Sequence, residues 1–435
     1  MNIGRAFSVA ATWAGPMMLL VGFSTPVQAW TGSHYSLELR PDFEKQSLVG
    51  RARIELRADD SPGGFVDIRS PRLDMRNVEI NGLETTGEKS KSGWRIPIPQ
   101  ELKKELSKKP ILELDLTYRV GSSSGLVFGD GYVYTAFHTC RWMPCAGSDL
   151  SRASVTFDLQ LPAGTKSVAS GERLDGPVNS HKWHQSAPYP LYTFGFAAGR
   201  FTETVQSVGD RELRFLGVDQ TEGDLRAKFR DSALMLEFFK NKAGLPLPPK
   251  TYTQVLVPGG VAQEVSTFSM IGARWLDPIL DNPQEDWIIA HEMAHQWWGN
   301  LITCATWNEL WLNEGLTVFM TMAWKQHRWG EAAYERELRL SREAWKRAQD
   351  AGFDKPLRWS GDYPNLRIRR SIQYSKAALF FVALREQLGE EKFWTGLRTY
   401  TRQFAGQTVR GEDFQKAIED SSGQNLQVLF NRWVY

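Results

Sequence analysis

Apolar and polar residues alternate along the chain from residue 30 to about residue 201. Clear examples are residues 34–39, 52–56, 111–116 and 155–159. Gly, Pro and Ser separate these runs, as turns separate strands. Because successive side chains of a strand point to opposite faces, this period of two indicates strands with one buried face. The sequence therefore predicts a mostly β domain over residues 30–205.

The pattern changes after residue 225, where apolar residues recur at helical spacing. Helical spacing is evident around residues 234–239, from 287 to 298 and from 378 to 388. One further alternating run, residues 252–257, ends at a Pro-Gly-Gly break that suits a loop beside a cleft. The sequence predicts a mostly helical second domain over residues 206–435.

Residues 1–29 have the form of a secretory signal. An apolar stretch follows Arg5 and ends at Val-Gln-Ala, a small-residue cleavage pattern. The alternative is an uncleaved anchor, because the stretch approaches the ~20 residues that span a bilayer. We expect cleavage before Trp30, a periplasmic or secreted protein, and no stable membrane span after the signal is removed.

Charge and cysteine content narrow the function classes. The 52 Lys and Arg against 50 Asp and Glu leave a formal net charge of +2, which argues against a nucleic-acid partner. Three cysteines cannot build a disulfide scaffold. In an exported protein, Cys140 and Cys145 either pair or stay as buried thiols, and Cys304 stays unpaired.

The most informative segment is residues 291–300, which reads His-Glu-Met-Ala-His-Gln-Trp-Trp-Gly-Asn. On a helix, His291 and His295 share one face about 6 Å apart, which lets two imidazoles bind one zinc ion. Glu292 lies about a quarter-turn away, so it is placed to accept a proton from a water at the metal. The alternative is a pair of ordinary surface histidines.

A catalytic zinc usually has three protein ligands and one open position. The next helical stretch, residues 307–316, offers Glu314 after a gap long enough for a loop and an antiparallel helix. Glu309 is the rival ligand, although an acid near a helix start is commonly a cap or dipole partner. We predict one zinc per chain, bound by His291, His295 and Glu314.

At this point the sequence resembles the aminopeptidase N family of zinc metallopeptidases. That family's pattern is His-Glu-x-x-His-x-Trp-x-Gly-Asn followed by Asn-Glu-Gly, and both parts are present. Weaker similarity extends over most of the chain beyond the signal, in residues 189–201, 374–377, 388–393 and 429–433. The resemblance implies an α+β fold, with an N-terminal antiparallel β domain packed on a mostly helical, thermolysin-like catalytic domain.

The resemblance also implies roles for single residues. Zinc would be held by His291, His295 and Glu314, with Glu292 as the general base. Tyr374, in a segment similar to the family's Tyr-x-Lys-Gly element, would stabilise the oxyanion. A hydrogen bond that strengthens in the transition state typically contributes ~3 kcal/mol.

The chain departs from the family in the segment that binds the substrate's free amine. The family's Gly-Ala-Met-Glu-Asn corresponds here to residues 261–265, of which Ala262 and Glu264 match. Glu264 retains the negative charge that pairs with an ammonium. The alternative interpretation is that Glu264 is a solvated loop residue. A second family contact, a Gln or Glu before an aromatic-Pro-Cys element, has no counterpart in residues 135–138, so we expect weaker amine selectivity.

The chain also ends where its relatives continue into a helical domain that walls the active site. We therefore expect an open cleft with fewer remote substrate contacts and low turnover on small substrates. A protein partner that covers this cleft is a further expectation.

The leading hypothesis is an exported zinc aminopeptidase that removes residues one at a time from peptide substrates. One alternative is a zinc endopeptidase, favoured by the altered amine segment. The other is a weakly catalytic peptide-binding protein with structural zinc. Glu292 and Tyr374 argue against it, because a structural site needs neither and normally has four protein ligands.

Overall fold

The structure is a computed structural model that describes residues 30–58, 63–106, 110–177 and 180–435. The predicted signal, residues 1–29, lies outside the described residues and stays a prediction. Across the described ranges, no helix is both long enough and apolar enough to cross a membrane.

The N-terminal region is built on one large sheet. Its eight strands within the described residues are, in spatial order, Glu172–Arg173, Lys182–Pro190, Arg152–Leu159, Trp30–Asp42, Ser47–Ala58, Ile111–Gly121, Asp74–Ile80 and Leu83–Glu84. Neighbours run antiparallel, except that Trp30–Asp42 and Arg152–Leu159 pair in parallel. Every second residue from Leu48 to Leu56 is buried, as the alternation predicts.

Two smaller sheets complete the β region. In the described chain, one has the order Lys166–Ala169, Phe196–Gly199, Tyr132–Thr135 and Leu126–Gly129, and the other has the order Phe65–Ile68, Trp94–Pro97 and Glu88–Lys89. A short helix, Lys103–Leu106, follows the second of these sheets. Apolar side chains from all three sheets form one continuous core.

A five-stranded sheet begins the second region. Its strands, all within the continuous described stretch 180–435, have the order Thr202–Val208, Arg211–Gly217, Thr251–Val257, Phe268–Gly272 and Ala262–Val265. The predicted domain boundary after residue 205 therefore falls inside the first of these strands. The last, Ala262–Val265, lies at the sheet edge and is called the cleft strand below.

Helices make up most of the remaining chain, as the helical spacing predicts. They are Glu222–Lys228, Ser232–Ala243, Ala273–Leu276, Pro278–Asp281, Trp287–Ala294, Trp311–Trp329, Glu331–Asp350, Leu366–Arg370, Ala377–Leu388, Glu390–Gln403, Gly411–Ser422 and Gln427–Trp433. We call Trp287–Ala294 the histidine helix and Trp311–Trp329 the glutamate helix. The expected α+β fold is confirmed.

A second apolar core holds the histidine and glutamate helices together. Trp297, Trp298, Trp311 and Trp324 are each at most 1% exposed within it. Such large buried side chains fix the relative position of the two helices, because a packed interior has little room for rearrangement.

The cysteine alternatives are resolved in favour of pairing. Cys140 and Cys145 form a disulfide with their Cα atoms 5.4 Å apart. Cys304 is a buried free thiol.

Candidate metal centre and active site

Both motif histidines lie at the C-terminal end of the histidine helix, with His295 directly after its last residue. The Nε2 atoms of His291 and His295 are 3.0 Å apart, and the two rings are perpendicular. The side chains are 4% and 1% exposed. Helical spacing has therefore brought two potential ligand nitrogens to one buried point.

Glu314, in the first turn of the glutamate helix, faces the same point. Its Oε2 atom is 3.4 Å from His291 Nε2 and 3.3 Å from His295 Nε2. Within the described ranges, these three residues are the one group of His, Cys, Asp or Glu whose ligand atoms lie close enough to hold a metal.

The geometry fits a zinc ion. Tetrahedral zinc with Zn–N bonds of about 2.0–2.1 Å places two ligand atoms about 3.3 Å apart, close to the three separations given above. His295 Nδ1 lies 3.0 Å from the carbonyl oxygen of Trp298. Donation to that carbonyl leaves Nε2 free of a proton, as a metal ligand requires.

The rival ligand, Glu309, points elsewhere. Its Oε1 atom is 2.8 Å from Arg358 Nε, and its Oε2 atom accepts a hydrogen bond of 2.8 Å from Trp311 Nε1. The carboxylate therefore links the start of the glutamate helix to a later segment of the chain, and its polar neighbours are not the histidines.

Two glycines allow close backbone approaches around the ligands. Gly299 has φ of +139°, and a Cβ atom there would lie 2.7 Å from His295 Nδ1. At Gly315, a Cβ atom would lie 2.3 Å from the Cβ atom of Ala377. A larger residue would displace the His295 ring at the first position and the helix that begins at Ala377 at the second.

Two further carboxylates lie near the ligands. Glu292 is 3% exposed, and its Oε2 atom has no hydrogen-bond partner among the described residues. Burial, reinforced by the charges of Glu264 and Glu314, raises the pKa of Glu292 well above its ordinary value. Burial also raises the pKa of Glu264 to about 7, against the opposing charge of His295. Both groups are thus suited to exchanging a proton or pairing with a cation.

Tyr374 lies in a π-helical turn, Ser371–Lys376, directly before the helix that starts at Ala377. Such turns occur frequently at functional sites. The Tyr374 hydroxyl hydrogen-bonds to the Glu314 carboxylate, and burial together with that negative charge raises the pKa of Tyr374 well above its ordinary value. The phenol therefore stays protonated and able to donate beside the metal ligands.

The cleft strand places Glu264 and Ala262 at the edge of the five-stranded sheet, both partly exposed. The side chain of Gln296, in the turn after the histidine helix, donates to the carbonyl oxygen of Val265 at 3.1 Å, and Asn300 Nδ2 donates to the same oxygen at 3.3 Å. The end of the amine segment is therefore fastened to the segment that carries His295.

The segment that lacks the family's second acidic contact, residues 135–138, has a different role. Phe137 and His138 have φ of 50° and 43°, a left-handed conformation uncommon for such side chains. The backbone N–H of Phe137 donates to Gln263 Oε1 at 2.5 Å, and Gln263 Nε2 donates to the carbonyl oxygen of Tyr192 at 3.1 Å. The side chain between Ala262 and Glu264 thus connects the cleft strand to the β domain.

Sequence reasoning missed the residues that join these parts. They are Arg152, Tyr192, Gln263, Gln296 and Thr317. Gln296 lies in the 291–300 motif and Tyr192 in the matching segment 189–201, so both had a sequence signal. Arg152 had none, because its partners lie about 150 residues away in the chain.

Comparisons with known proteins agree with this geometry. Residues 229–433 match the Peptidase family M1 domain. Leucine aminopeptidase 2 of Emericella nidulans is 24% identical over 90% of this chain and 67% of that protein. Aminopeptidase M1-C of Oryza sativa subsp. japonica is 23% identical over 92% of this chain and 49% of that protein.

Two solved structures share the fold. Native yeast LTA4 hydrolase aligns with a TM-score of 0.79 and 21% identity, over 94% of this chain and 68% of that one. A mutant M1 zinc metallopeptidase from Deinococcus radiodurans, bound to a Tyr-Ser-Ala substrate, aligns with a TM-score of 0.77 and 20% identity. The alignment covers 93% of this chain and 94% of that one.

The fold and the three-residue centre together define a zinc metallopeptidase. Within that class, residues 229–433 match the Peptidase family M1 domain, which confirms the resemblance found in the sequence.

Proposed function

We propose that this protein is an aminopeptidase that hydrolyses N-terminal residues from peptides. The observation that carries the proposal is the position of Glu264. Glu264 is partly exposed and lies on a strand whose last residue, Val265, is hydrogen-bonded to the segment carrying His295. A substrate ammonium paired with Glu264 would hold the first peptide bond of the chain, and no later bond, at the metal centre.

The chain's own residues then have distinct tasks. His291, His295 and Glu314 hold the zinc ion, which supplies Lewis acidity toward a carbonyl and lowers the pKa of water. Glu292 accepts the proton of the attacking water and passes it to the leaving amine. Tyr374 donates a hydrogen bond to the carbonyl oxygen as negative charge develops on it.

The pairing at Glu264 also accounts for selectivity. A charge-assisted hydrogen bond between a carboxylate and an ammonium contributes ~1.5–3 kcal/mol in a partly desolvated site. An N-acetylated peptide offers no ammonium and would leave the Glu264 charge without a cationic partner. Endopeptidase activity, suggested by the altered amine segment, would require this discrimination to be absent.

The test is a peptide panel digested by the purified protein, with products identified by mass spectrometry. We expect free peptides to lose residues singly from the N-terminus, N-acetylated peptides to stay intact, and a chelator to abolish cleavage. Equal cleavage of both sets would reject the aminopeptidase proposal in favour of an endopeptidase. No cleavage with zinc present would reject catalysis and leave the peptide-binding alternative.

We further propose that the protein is exported to the periplasm or secreted. The support is the apolar stretch and the Val-Gln-Ala pattern in residues 1–29. N-terminal sequencing of the protein recovered from its native host should begin at or near Trp30. A sequence beginning at Met1 would reject cleavage.

A further inference from the structure

Lys376, the lysine of the segment similar to the family's Tyr-x-Lys-Gly element, is buried although it carries a charge. Its side chain is 7% exposed. The Nζ atom lies 2.7 Å from Asp354 Oδ1 and donates to the carbonyl oxygen of Lys355 at 2.8 Å. The ammonium is also 5.4 Å from the centre of the Trp345 ring. Because a lysine is rarely buried unless its charge is paired, the position of Lys376 depends on residues 354–355.

Asp354 is in turn held by the helix Glu331–Asp350, which precedes it in the chain. Its Oδ1 atom accepts a hydrogen bond of 2.8 Å from Trp345 Nε1, and its Oδ2 atom accepts one of 3.3 Å from Gln349 Nε2. The carboxylate therefore joins a long helix to the buried ammonium of Lys376.

Lys376 ends the π-helical turn Ser371–Lys376, two residues after Tyr374. One residue before Tyr374, Gln373 Nε2 donates to the carbonyl oxygen of Trp307 at 3.2 Å. Side-chain hydrogen bonds on both sides of Tyr374 therefore anchor the turn to separate parts of the second region.

The turn also lies against the helix that carries a metal ligand. Ala377, directly after the turn, is so close to the glutamate helix that a Cβ atom at Gly315 would lie 2.3 Å from the Ala377 Cβ atom. Gly315 directly follows the ligand Glu314. A shift of the turn at Lys376 would therefore move Tyr374 relative to the metal centre.

We propose that Lys376 and Asp354 are positioning residues for the reaction, whose ion pair holds the π-helical turn so that the Tyr374 hydroxyl stays aimed at the carbonyl oxygen of the substrate. The inference rests on the proposed function, in which Tyr374 donates a hydrogen bond to that oxygen. Because a hydrogen bond made in the transition state depends on the position of its donor, loss of the ion pair should lower kcat and leave KM unchanged.

The test is a double-mutant cycle on kcat for release of alanine from trialanine. Tyr374→Phe removes the hydroxyl, and Lys376→Met removes the ammonium while keeping an unbranched side chain beside Trp345. We expect kcat to fall ~100-fold in Tyr374→Phe and ~10-fold in Lys376→Met, with KM and zinc content unchanged. In the Tyr374→Phe background, Lys376→Met should lower kcat no further, because Lys376 acts only through the missing hydroxyl.

Asp354→Ala removes the same ion pair from its partly exposed end, where the side chain is 37% exposed. The variant tests the pair even if Lys376→Met does not fold, because the Lys355 carbonyl oxygen still accepts from Lys376. We expect kcat to fall ~3–10-fold with KM unchanged, and only while the Tyr374 hydroxyl is present.

Glu337→Ala is the matched control. Glu337 Oε1 lies 2.7 Å from Lys325 Nζ, in an ion pair whose lysine and glutamate side chains are 2% and 13% exposed. Lys325 lies in the second half of the glutamate helix, away from Glu314 in its first turn. Loss of this second buried pair should lower stability and leave kcat unchanged, both with and without the Tyr374 hydroxyl.

The outcomes separate two failures. If the wild-type protein releases no single residues from trialanine, or if Tyr374→Phe keeps full kcat, the proposed function or its assignment of Tyr374 fails, and this inference fails with it. If Tyr374→Phe lowers kcat but Lys376→Met lowers it by the same factor with and without the hydroxyl, only this inference is wrong. An unchanged kcat in Lys376→Met, a loss of zinc, or an effect on KM alone would also overturn it.

Discussion

The two halves of the active site are built in different ways. The metal half comes from the histidine and glutamate helices and their buried tryptophans, all within one apolar core. The amine half lies where the β region meets the catalytic region, and hydrogen bonds from Tyr192 and Gln263 hold it across that boundary. Packing positions the three metal-ligand side chains, whereas polar contacts between the regions position the cleft strand that carries Glu264.

This difference predicts that the two halves of the site tolerate amino-acid substitutions to different degrees. Changes to the metal half should remove metal or chemistry outright, because a packed interior leaves little room for another side chain to replace a lost ligand. Changes at the boundary should alter affinity and stability by smaller amounts, because several hydrogen bonds share the task and each contributes about 1 kcal/mol.

The largest effect is expected for Glu292→Gln. The amide keeps the shape of the side chain but cannot accept the water proton, so hydrolysis should fall at least about a hundredfold while one zinc per chain stays bound. Activity is measured on free peptides and metal by atomic absorption. The control is Glu391→Gln, an exposed residue that should retain full activity. Residual activity above about a hundredth of wild type would contradict the general-base role.

Glu314→Ala should remove the metal itself. Loss of one of three protein ligands should weaken zinc affinity by at least about tenfold, measured by competition with a chelator. Glu309→Gln is the comparison, because Glu309 pairs with Arg358 and an amide oxygen there can still accept from Trp311. Full zinc occupancy in Glu314→Ala, or zinc loss in Glu309→Gln, would reverse the ligand assignment.

Gly315→Ala tests the packing of the metal half. The added methyl would overlap Ala377 and separate the glutamate helix from the segment of Tyr374. We expect a loss of ~1–3 kcal/mol in the free energy of unfolding and roughly a tenfold lower kcat. Gly396→Ala is the control, because a Cβ atom there lies 3.1 Å from the flexible end of Ile418. If Gly315→Ala leaves both the free energy of unfolding and kcat unchanged, the contact with Ala377 has room for the added methyl group.

Arg152→Met should have the smallest effect, at the boundary between regions. Arg152 donates to the carbonyl oxygens of Asn300 and Leu301 at 3.3 and 3.2 Å, and burial lowers its pKa to about 10. Removing the guanidinium removes both hydrogen bonds, so the free energy of unfolding in urea should drop by ~1–3 kcal/mol with zinc retained. Arg402→Met, which loses one exposed bond, should cost less. Equal losses of unfolding free energy in Arg152→Met and Arg402→Met would mean that the hydrogen bonds of Arg152 stabilise the fold no more than one exposed bond does.

The metal half could be predicted from local spacing. Two histidines four residues apart must share a helical face, and Glu314 had to return on a second helix. The sequence analysis favoured Glu314 over Glu309 as the third ligand, and the structure places Glu314 beside the two histidines. The resemblance drew attention to Tyr374, because nothing in its own neighbourhood marks it among the tyrosines.

The amine half could be predicted only in part. Glu264 and Ala262 were found from a degraded motif, but Gln263 counted there as a mismatch, and the structure shows it bonded to both Phe137 and Tyr192. Residues 135–138 were noted for the missing acid. The left-handed backbone of Phe137 and His138 and the contact of Phe137 with the cleft strand had no sequence signal.

By itself, the sequence determined the β and helical regions, the zinc ligands and the class of chemistry. Those features depend on periodicities of two and 3.6 residues and on motifs a few residues long. Only the tertiary structure decided which residues connect the strand of Glu264 to the segment that carries His295. Hydrogen bonds such as those of Arg152 and Tyr192 join segments more than a hundred residues apart, and their partners are set by how two packed regions meet.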